Sequence, residues 1–342
     1  MVKIRLLLCF LFVISCREGK PADDDKRNAL MVTINAEDNL LAYSYFKDND
    51  YAVKVEDLRT NNTVFVYNIQ DNCFTNPRIH NGKLYFPESN HVFVCVSYKT
   101  GKPLWKLPTQ GRILEFQMVK DDIIIASVDG YGIIAIHADT GKILYVLHLL
   151  SNSNCQVDLS PRPVRFDENY FYVAGFNCKT ISAYEILSGK KVWSREDYRF
   201  SLSSFIITGD FIFSGNMIDN DKEEIILLEA HTSKLLYRQP ASFDLFTDPV
   251  VYQDKIYYHT NNAELKEFDI RKKTVRTVFT FRTYEDIIGG QMFRLDHFLF
   301  FQDMQYHIVK IDLQTFNRKV IDRGKKGLLE VYKINDEIKL IY

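Results

Sequence analysis

A short polar turn motif recurs seven times along the chain and constrains the fold more than any other feature of the sequence. One position of the motif holds Thr or Ser in six of the seven copies. In chain order, this position is occupied by Thr60, Thr100, Thr140, Ser188, Thr232, Lys272 and Thr315. The steps between them are 40, 40, 48, 44, 40 and 43 residues. A period of ~40–50 residues built from strands is typical of a propeller blade.

Each repeat also carries residues that suit a tight hairpin and a packed outer strand. Glycine follows the hydroxyl position in three copies, at Gly101, Gly141 and Gly189, where a hairpin turn needs a positive φ. A large ring stands four residues after the glycine position, on the strand that follows, where it can pack between neighbouring blades. In chain order, these rings are Phe65, Trp105, Tyr145, Trp193 and Tyr237.

The segments between the motifs predict short strands, so we expect an all-β fold, a β-propeller of four-stranded blades. Polar pairs such as Asn81-Gly82 and Gly209-Asp210 precede runs of Phe, Tyr and Ile, as in hairpins. Aromatic residues make up 14% of the chain, which also favours strands. We expect seven blades, with eight as the alternative.

The two ends of the chain are expected to close the ring. Residues 329–334 and 338–342 predict one more hairpin of inner strands. The segments 31–35 and 40–46 can complete the same blade. Joining the N- and C-terminal strands in this way removes a free sheet edge.

The clearest copies of the repeat resemble the PQQ-like repeat of the quinoprotein-dehydrogenase-type propellers. They cover residues 92–105, 133–145 and 181–193, and two of them end in tryptophan after a Thr-Gly-Lys or Ser-Gly-Lys turn. The resemblance covers about residues 39–342 and is strongest in the first half. It implies the propeller fold. In layout the chain is also similar to a lipid-tethered propeller of outer-membrane assembly.

The resemblance does not carry enzyme activity with it. Quinoprotein dehydrogenases of this fold are longer, stack their cofactor on an adjacent cysteine pair and hold calcium with Glu, Asn and Asp. The chain has no Cys-Cys pair, and we predict no catalytic residue, cofactor or metal. We expect a non-catalytic binding or scaffold protein for a protein or glycan partner. The alternatives are a divergent quinoprotein-like enzyme and a small-ligand sensor, each with a site in the central channel.

The N-terminus predicts export and lipid anchoring. An apolar run, residues 6–14, follows two basic residues and is too short to span a bilayer, but it fits a signal peptide. The run ends in Ser15-Cys16 and resembles a bacterial lipobox. The resemblance implies cleavage before Cys16 and attachment of a diacylglyceryl group to its thiol. We therefore expect a lipid anchor in the outer membrane.

Three regions follow from this interpretation: a lipoprotein signal peptide (1–15), a flexible tether (16–30) and a single propeller domain (31–342). The run Asp23-Asp24-Asp25 is loosely similar to a surface-export signal of Bacteroidetes lipoproteins, and a solvated linker is the alternative. We expect a cell-envelope protein that faces the periplasm or the cell surface, and a monomer.

The formal net charge of −1 argues against nucleic-acid binding, which needs clustered cations.

Four cysteines of the propeller region permit disulfides in an exported chain. Our preferred pairing joins Cys73 with Cys95 and Cys155 with Cys178, because each closes a short loop. Buried free thiols are the alternative.

Three arginines are candidate ligand contacts at the mouth of the central channel. Arg78, Arg162 and Arg165 lie beside prolines near predicted strand starts, where they can face an anionic or sugar ligand. Ordinary channel-mouth charges are the alternative. The acidic segment 219–224 is predicted to be a solvated hairpin loop, since Glu224 stands where a calcium loop needs glycine.

Overall fold

The computed structural model describes residues 29–47, 50–71, 75–120, 122–148, 164–174, 180–196, 205–219, 222–243, 247–282, 288–324, 327–334 and 337–341. Strands joined by turns make up this described part of the chain. In these ranges, thirty strands form seven four-stranded antiparallel sheets and one two-stranded sheet. The predicted propeller with seven four-stranded blades is confirmed. No helix in the same ranges has the length and apolar character needed to cross a membrane.

Blades 1 to 4 contain the first sixteen strands. They are β1 (Ala29–Asn35), β2 (Leu40–Lys47), β3 (Asp50–Asp57), β4 (Thr63–Ile69), β5 (Arg78–His80), β6 (Lys83–Ser89), β7 (Val92–Ser97), β8 (Pro103–Pro108), β9 (Ile113–Val119), β10 (Ile123–Val128), β11 (Gly132–His137), β12 (Ile143–Leu147), β13 (Val164–Phe166), β14 (Tyr170–Val173), β15 (Ile181–Glu185) and β16 (Lys191–Arg195).

Blades 5 to 7 and the terminal strand pair contain the rest. They are β17 (Ile206–Thr208), β18 (Phe211–Asp219), β19 (Lys222–Glu229), β20 (Leu235–Pro240), β21 (Val250–Tyr252), β22 (Lys255–Thr260), β23 (Glu264–Asp269), β24 (Thr274–Thr280), β25 (Ile288–Leu295), β26 (Phe298–Asp303), β27 (His307–Asp312), β28 (Arg318–Arg323), β29 (Glu330–Ile334) and β30 (Glu337–Ile341).

Each blade pairs its strands in chain order, with the first strand innermost. The strand β1 lies beside β5, and β5 lies beside β9, so the first strands surround the central channel. The core is divided among the spaces between blades: one cluster, for example, joins Val53 of blade 1 to Val94 of blade 2. A central strand therefore buries both of its faces, as β10 does at all six residues, and this explains the continuous apolar runs in the sequence.

The recurring turn joins the third and fourth strands of each blade. Gly101 takes a φ of +72°, as predicted, and the late copies keep this conformation without glycine, at Ser233 (60°), Lys273 (55°) and Phe316 (59°). An acidic residue three positions before the hydroxyl position caps the turn of the first copy: Asp57 Oδ1 accepts hydrogen bonds from the backbone N–H groups of Arg59 and Thr60 at 2.8 and 2.9 Å. Degenerate copies of the motif thus form the same turn.

The predicted rings lie on the turn of the next blade. The indole Nε1 of Trp105 donates to the carbonyl oxygen of Ala138 at 2.7 Å, and Trp193 donates to Ala230 at 2.9 Å. The hydroxyl of Tyr145 donates to the carbonyl oxygen of Ile186 at 2.6 Å. These three rings therefore tie one blade to the next through a hydrogen bond as well as through packing.

The N- and C-terminal strands meet and close the ring. The pair β29–β30 lies between β25 of blade 7 and β1 of blade 1, in an eighth position. Ile341 is buried there with Val32 and Tyr43 of blade 1. The segments 31–35 and 40–46 belong to β1 and β2, which pair with β3 and β4. Closure thus uses side-chain packing between two sheets and not one shared sheet.

The prediction of a solvated loop at 219–224 is wrong at Glu224. The strands β18 and β19 extend to Asp219 and from Lys222, which brings Glu224 into the sheet with 1% of its surface exposed. Its carboxylate accepts a hydrogen bond from Asn216 Nδ2 at 2.6 Å and lies 3.1 Å from Arg238 Nε. These partners replace water, which allows the acid to be buried.

Candidate functional site

The two ends of the propeller are built from different connections. One end, here called the turn face, carries the turns between first and second strands and the turns between third and fourth strands. The opposite end, the linker face, carries the remaining hairpins and the linkers between blades. Arg78 is the first residue of β5, and Arg165 is the middle residue of β13. Both are on innermost strands, beside the channel, whereas Arg162 lies outside the described residues.

Arg165 is held by protein groups of three blades. Its Nε donates to the carbonyl oxygen of Phe205 at 3.1 Å, and its Nη2 lies 3.4 Å from Oδ1 of Asp248. The guanidinium also lies 5.7 Å from the centre of the Phe205 ring. Blade 4 is thereby tied to blades 5 and 6. The charge is already balanced by Asp248, so an anionic ligand would compete with this ion pair.

The same network continues into blade 7. The backbone N–H of Asp248 donates to Gln291 Oε1 at 3.2 Å, and the hydroxyl of Thr247 donates to the carbonyl oxygen of Gly290 at 3.4 Å. Sequence reasoning missed Asp248 as the partner of the arginine and Gln291 as the acceptor for the backbone N–H of Asp248. The Asp248-Pro249 dipeptide was a visible signal of a strand start, but the contact with blade 4 depends on the ring.

Buried carboxylates elsewhere are also occupied by structural donors. Glu88 accepts a hydrogen bond from the Tyr67 hydroxyl at 2.6 Å and pairs with Lys106 Nζ at 2.6 Å. Glu267 accepts two hydrogen bonds from Arg276, at 2.9 and 2.8 Å. Burial raises the pKa of Glu267, but the hydrogen bonds from Arg276 and its other donors outweigh this and hold the pKa below its usual value. Glu88 thus joins blade 2 to blade 1 through Tyr67, whereas Glu267 joins two strands within blade 6.

A metal site needs several ligating side chains grouped around one point, and this can be judged for the part of the chain that the structure describes. Within those ranges, no three or more His, Cys, Asp or Glu side chains are grouped so that they could hold a metal ion. The predicted lipidation site, Cys16, lies outside them.

Cys95 is a free, buried thiol in the structure. It lies on the third strand of blade 2, fully buried in the cluster between blades 2 and 3, opposite Tyr85 and Trp105 in the strand register. The predicted Cys73–Cys95 pairing is therefore not formed here, because Cys95 points into an apolar core. Cys73, Cys155 and Cys178 lie outside the described residues, and the pairing of the last two stays a prediction.

We expect iodoacetamide to leave Cys95 unmodified in the folded protein at mildly alkaline pH and to modify it rapidly after unfolding. Burial raises the pKa of this thiol to about 12, and the thiolate is the form that reacts. Mass spectrometry of the peptide that contains Cys95 measures the modified fraction. Equal rates of modification in native and denaturing buffer would contradict the buried position.

Comparison with known proteins places this architecture in a family. The sequence profile of the family described as outer membrane protein assembly factor BamB matches residues 74–196 and 178–283, which cover blades 2 to 6. The chain belongs to this family. The matched region is more than half of the chain and contains all the clear copies of the turn motif, so the PQQ-like resemblance seen in the sequence is confirmed.

Solved structures share the fold of this BamB-family chain at low sequence identity. BamB from Moraxella catarrhalis is 12% identical, with a TM-score of 0.61 over 82% of this chain and 83% of that chain. The computationally designed protein Ika8 is 13% identical, with a TM-score of 0.68 over 93% and 98%. A europium-containing methanol dehydrogenase is 13% identical, with a TM-score of 0.57 over 85% and 77%. No curated protein matches the sequence significantly.

Proposed function

We propose that this chain is a cell-envelope lipoprotein whose propeller is a non-catalytic scaffold for protein partners in outer-membrane assembly. The observation that carries the proposal is membership of the BamB family, through a match to five consecutive blades. The family description names an assembly factor for outer membrane proteins. This favours a protein partner over a glycan.

The chemistry of the described residues supports a binding role. The buried acids are paired with donors that join strands, and Arg165 is paired with Asp248. Rings such as Trp105 lock each blade onto the next. A rigid ring of this kind holds its surface loops in fixed relative positions, and such loops are well suited to recognise a partner.

The tether completes the proposal. Cleavage before Cys16 and acylation of its thiol would anchor the propeller through residues 16–30. Because each buried CH₂ contributes ~0.8 kcal/mol, several acyl chains give a stable anchor. The protein would then reside at the outer membrane, facing the periplasm or the cell surface.

We expect a Cys16→Ser variant to lose its lipid and to leave the membrane fraction. The serine hydroxyl cannot form the thioether, so the acyl chains that hold the protein at the bilayer are absent. Intact-mass spectrometry and membrane fractionation measure the two effects. Cys9→Ser, in the same signal peptide, is the matched control and should change neither. Retention of the acylated mass in the Cys16 variant would refute the anchor.

The scaffold role is tested by cross-linking in the source cells. A chain with an affinity tag after the last strand should cross-link to components of the outer-membrane assembly machinery. Deletion of the gene that encodes this chain should lower the amount of folded outer membrane proteins in the cells. Normal levels of those proteins in the deletion strain, together with cross-links only to unrelated proteins, would refute the role.

A further inference from the structure

The eighth position of the ring is built differently from the other seven. Among the described residues it holds only β29 and β30, whereas each blade holds four strands. Blades 7 and 1 flank it, and both continue outward with a third and a fourth strand. We call the region outward of β30, between β27–β28 and β3–β4, the open slot.

The outer edge of β30 has no neighbouring strand among the described residues. In complete blades the second strand is covered by the third: β6 buries five of its seven residues and β10 buries all six. In β30, Glu337 and Lys339 are exposed and Ile341 is the one buried residue. In the described ranges β30 pairs with β29 alone. A row of backbone N–H and C=O groups along such an edge is a template for an added strand.

The wall on blade 1 leaves an apolar side chain uncovered. Val66 lies opposite Lys54 in the β3–β4 register, on the face that points away from blade 2, and 43% of its surface is exposed. Val146 occupies the same position in blade 3, and there it packs half-buried against the core between blades. Val66 differs because neither β29 nor β30, the described strands of the eighth position, covers it.

The same wall is polar where blades 2 and 3 are apolar. Lys54 and Glu56 occupy the third-strand positions that face the preceding blade. The equivalent positions in blades 2 and 3 hold fully buried aliphatic residues: Val94, Val96, Ile134 and Ile136. Glu56 accepts a hydrogen bond from the Tyr43 hydroxyl at 2.8 Å and lies 2.6 Å from Lys54 Nζ. The wall is therefore stable when the slot is open.

This polarity decides what kind of occupant the slot suits. Between blades 1 and 2 and between blades 2 and 3, where the neighbouring strand is always present, these positions are packed by aliphatic residues. Interfaces that form and separate are more polar, and their groups must be satisfied in the free protein. Val66 and the satisfied Lys54–Glu56 pair match the second kind. The occupant is thus an exchangeable segment of another protein.

The wall on blade 7 selects for negative charge. Val309 and Ile311 pack toward blade 6, so Lys310 between them faces the open slot. It lies directly opposite Lys319 on the neighbouring strand. Like charges in this position destabilise a sheet. Nζ of Lys310 lies over the ring of Phe298, 3.4 Å from its centre, and a carboxylate between the two lysines would offset their repulsion.

We propose that the open slot binds an extended acidic segment of another protein, which pairs with β30 as a third strand. Alternate side chains would point to opposite walls: apolar ones toward Val66, and carboxylates toward Lys310 and Lys319. Matching the length of β30 requires about five residues, or ~17 Å. This inference rests on the proposed scaffold function, for which it names a binding surface and the chemistry of the partner.

A peptide probe tests the proposal with the mature, full-length chain. A fluorescent octapeptide that alternates valine and glutamate should bind. A valine–lysine peptide, and a valine–glutamate peptide with N-methylated backbone, should bind at least about tenfold more weakly, a difference of ~1.4 kcal/mol. The double variant K310E/K319E should lose about tenfold in affinity for the glutamate peptide and gain affinity for the lysine peptide.

The matched control is K190E/K191E, which makes the same charge change at two exposed lysines of blade 4. It should leave the affinity unchanged, and thermal unfolding followed by circular dichroism verifies that both variants are folded. Equal loss in both variants, undiminished binding of the N-methylated peptide, or no peptide binding at all would overturn the proposal. So would binding that requires neutralisation of Asp23, Asp24 and Asp25, since the tether would then be the occupant.

The outcomes separate this inference from the scaffold role. Suppose that the K310E/K319E variant still cross-links to the assembly machinery in cells, and that its affinity for the glutamate peptide equals that of the unmodified chain. The slot proposal then fails and the scaffold role stands. If the cross-links themselves are absent from the unmodified chain, the scaffold role fails.

Discussion

Replacing Gly141 with alanine is expected to lower the free energy of unfolding by about 2–4 kcal/mol. Gly141 has a φ of +70°, and a Cβ there would lie 2.7 Å from Cδ2 of Trp105 and within 2.9 Å of two other ring atoms. The backbone conformation costs alanine about 1 kcal/mol. Displacing a packed indole adds about 1–3 kcal/mol. Chemical denaturation followed by tryptophan fluorescence measures the sum.

Gly130→Ala in the same blade is the matched control. Gly130 also has a positive φ, +65°, but a Cβ there meets no heavy atom within 4 Å. We expect this variant to lose only about 1 kcal/mol, the cost of the backbone conformation. Equal losses at the two positions would show that the indole does not stabilise the contact between blades 2 and 3.

Replacing Arg276 with alanine is expected to cost about 2–3 kcal/mol at neutral pH. The guanidinium donates two hydrogen bonds to buried Glu267 and lies 4.9 Å from the centre of the Phe316 ring in the next blade. Loss of one partner of a fully buried ion pair costs about 3–5 kcal/mol. We expect less here because the arginine is 55% exposed and Lys255 remains 3.1 Å from the carboxylate.

The cost of this substitution should shrink in acid. Burial opposes ionisation of Glu267, but hydrogen bonds led by that from Arg276 lower its pKa in the folded state. A lowered pKa contributes stability above the unfolded value, and this contribution is lost as the pH falls through the folded value. A protonated Glu267 no longer needs the guanidinium to balance its charge. Wild type and variant should therefore converge in stability once the pH falls below the folded pKa of Glu267, which lies under the ordinary glutamate value.

Arg271→Ala provides the comparison within the same blade. Arg271 lies 2.8 Å from Asp254, but the two side chains are 79% and 54% exposed. An exposed pair contributes less than about 1 kcal/mol, and its removal should change stability little at any pH studied. A pH-independent loss in the Arg276 variant would mean that packing on Phe316, and not the buried charge, accounts for its effect.

These two contacts show how far the repeat could be read from the sequence. Trp105 and Gly141 were both visible as members of a motif, and their spacing predicted the packing that the structure confirms. Arg276 and Phe316 lie in late copies where neither the ring nor the glycine is present. They meet at the equivalent place because the hairpins have the same geometry. Only the assembled blades reveal that a cation has replaced the indole.

For the candidate sites, too, the sequence located residues but not their partners. Arg165 could be placed near the channel from its neighbouring prolines, but its partner Asp248 is 83 residues away and belongs to the next blade but one. The segment that contains Glu224 was interpreted as a solvated hairpin loop, since Glu224 stands where a calcium loop needs glycine. Strand pairing instead brought Asn216 and Arg238 to it, which made burial possible. Contacts between distant residues depend on how the ring closes.

The sequence by itself determined the repeat, and with it the all-β propeller, because turn residues and strand alternation act within a few residues of one another. Export and the lipid anchor at Cys16 are likewise local signals, and they stay predictions. The tertiary structure alone decided that the chain ends form a separate pair of strands and that Lys310 and Lys319 line an open slot. Those facts depend on the angle that each blade occupies around the axis, which no short stretch of sequence encodes.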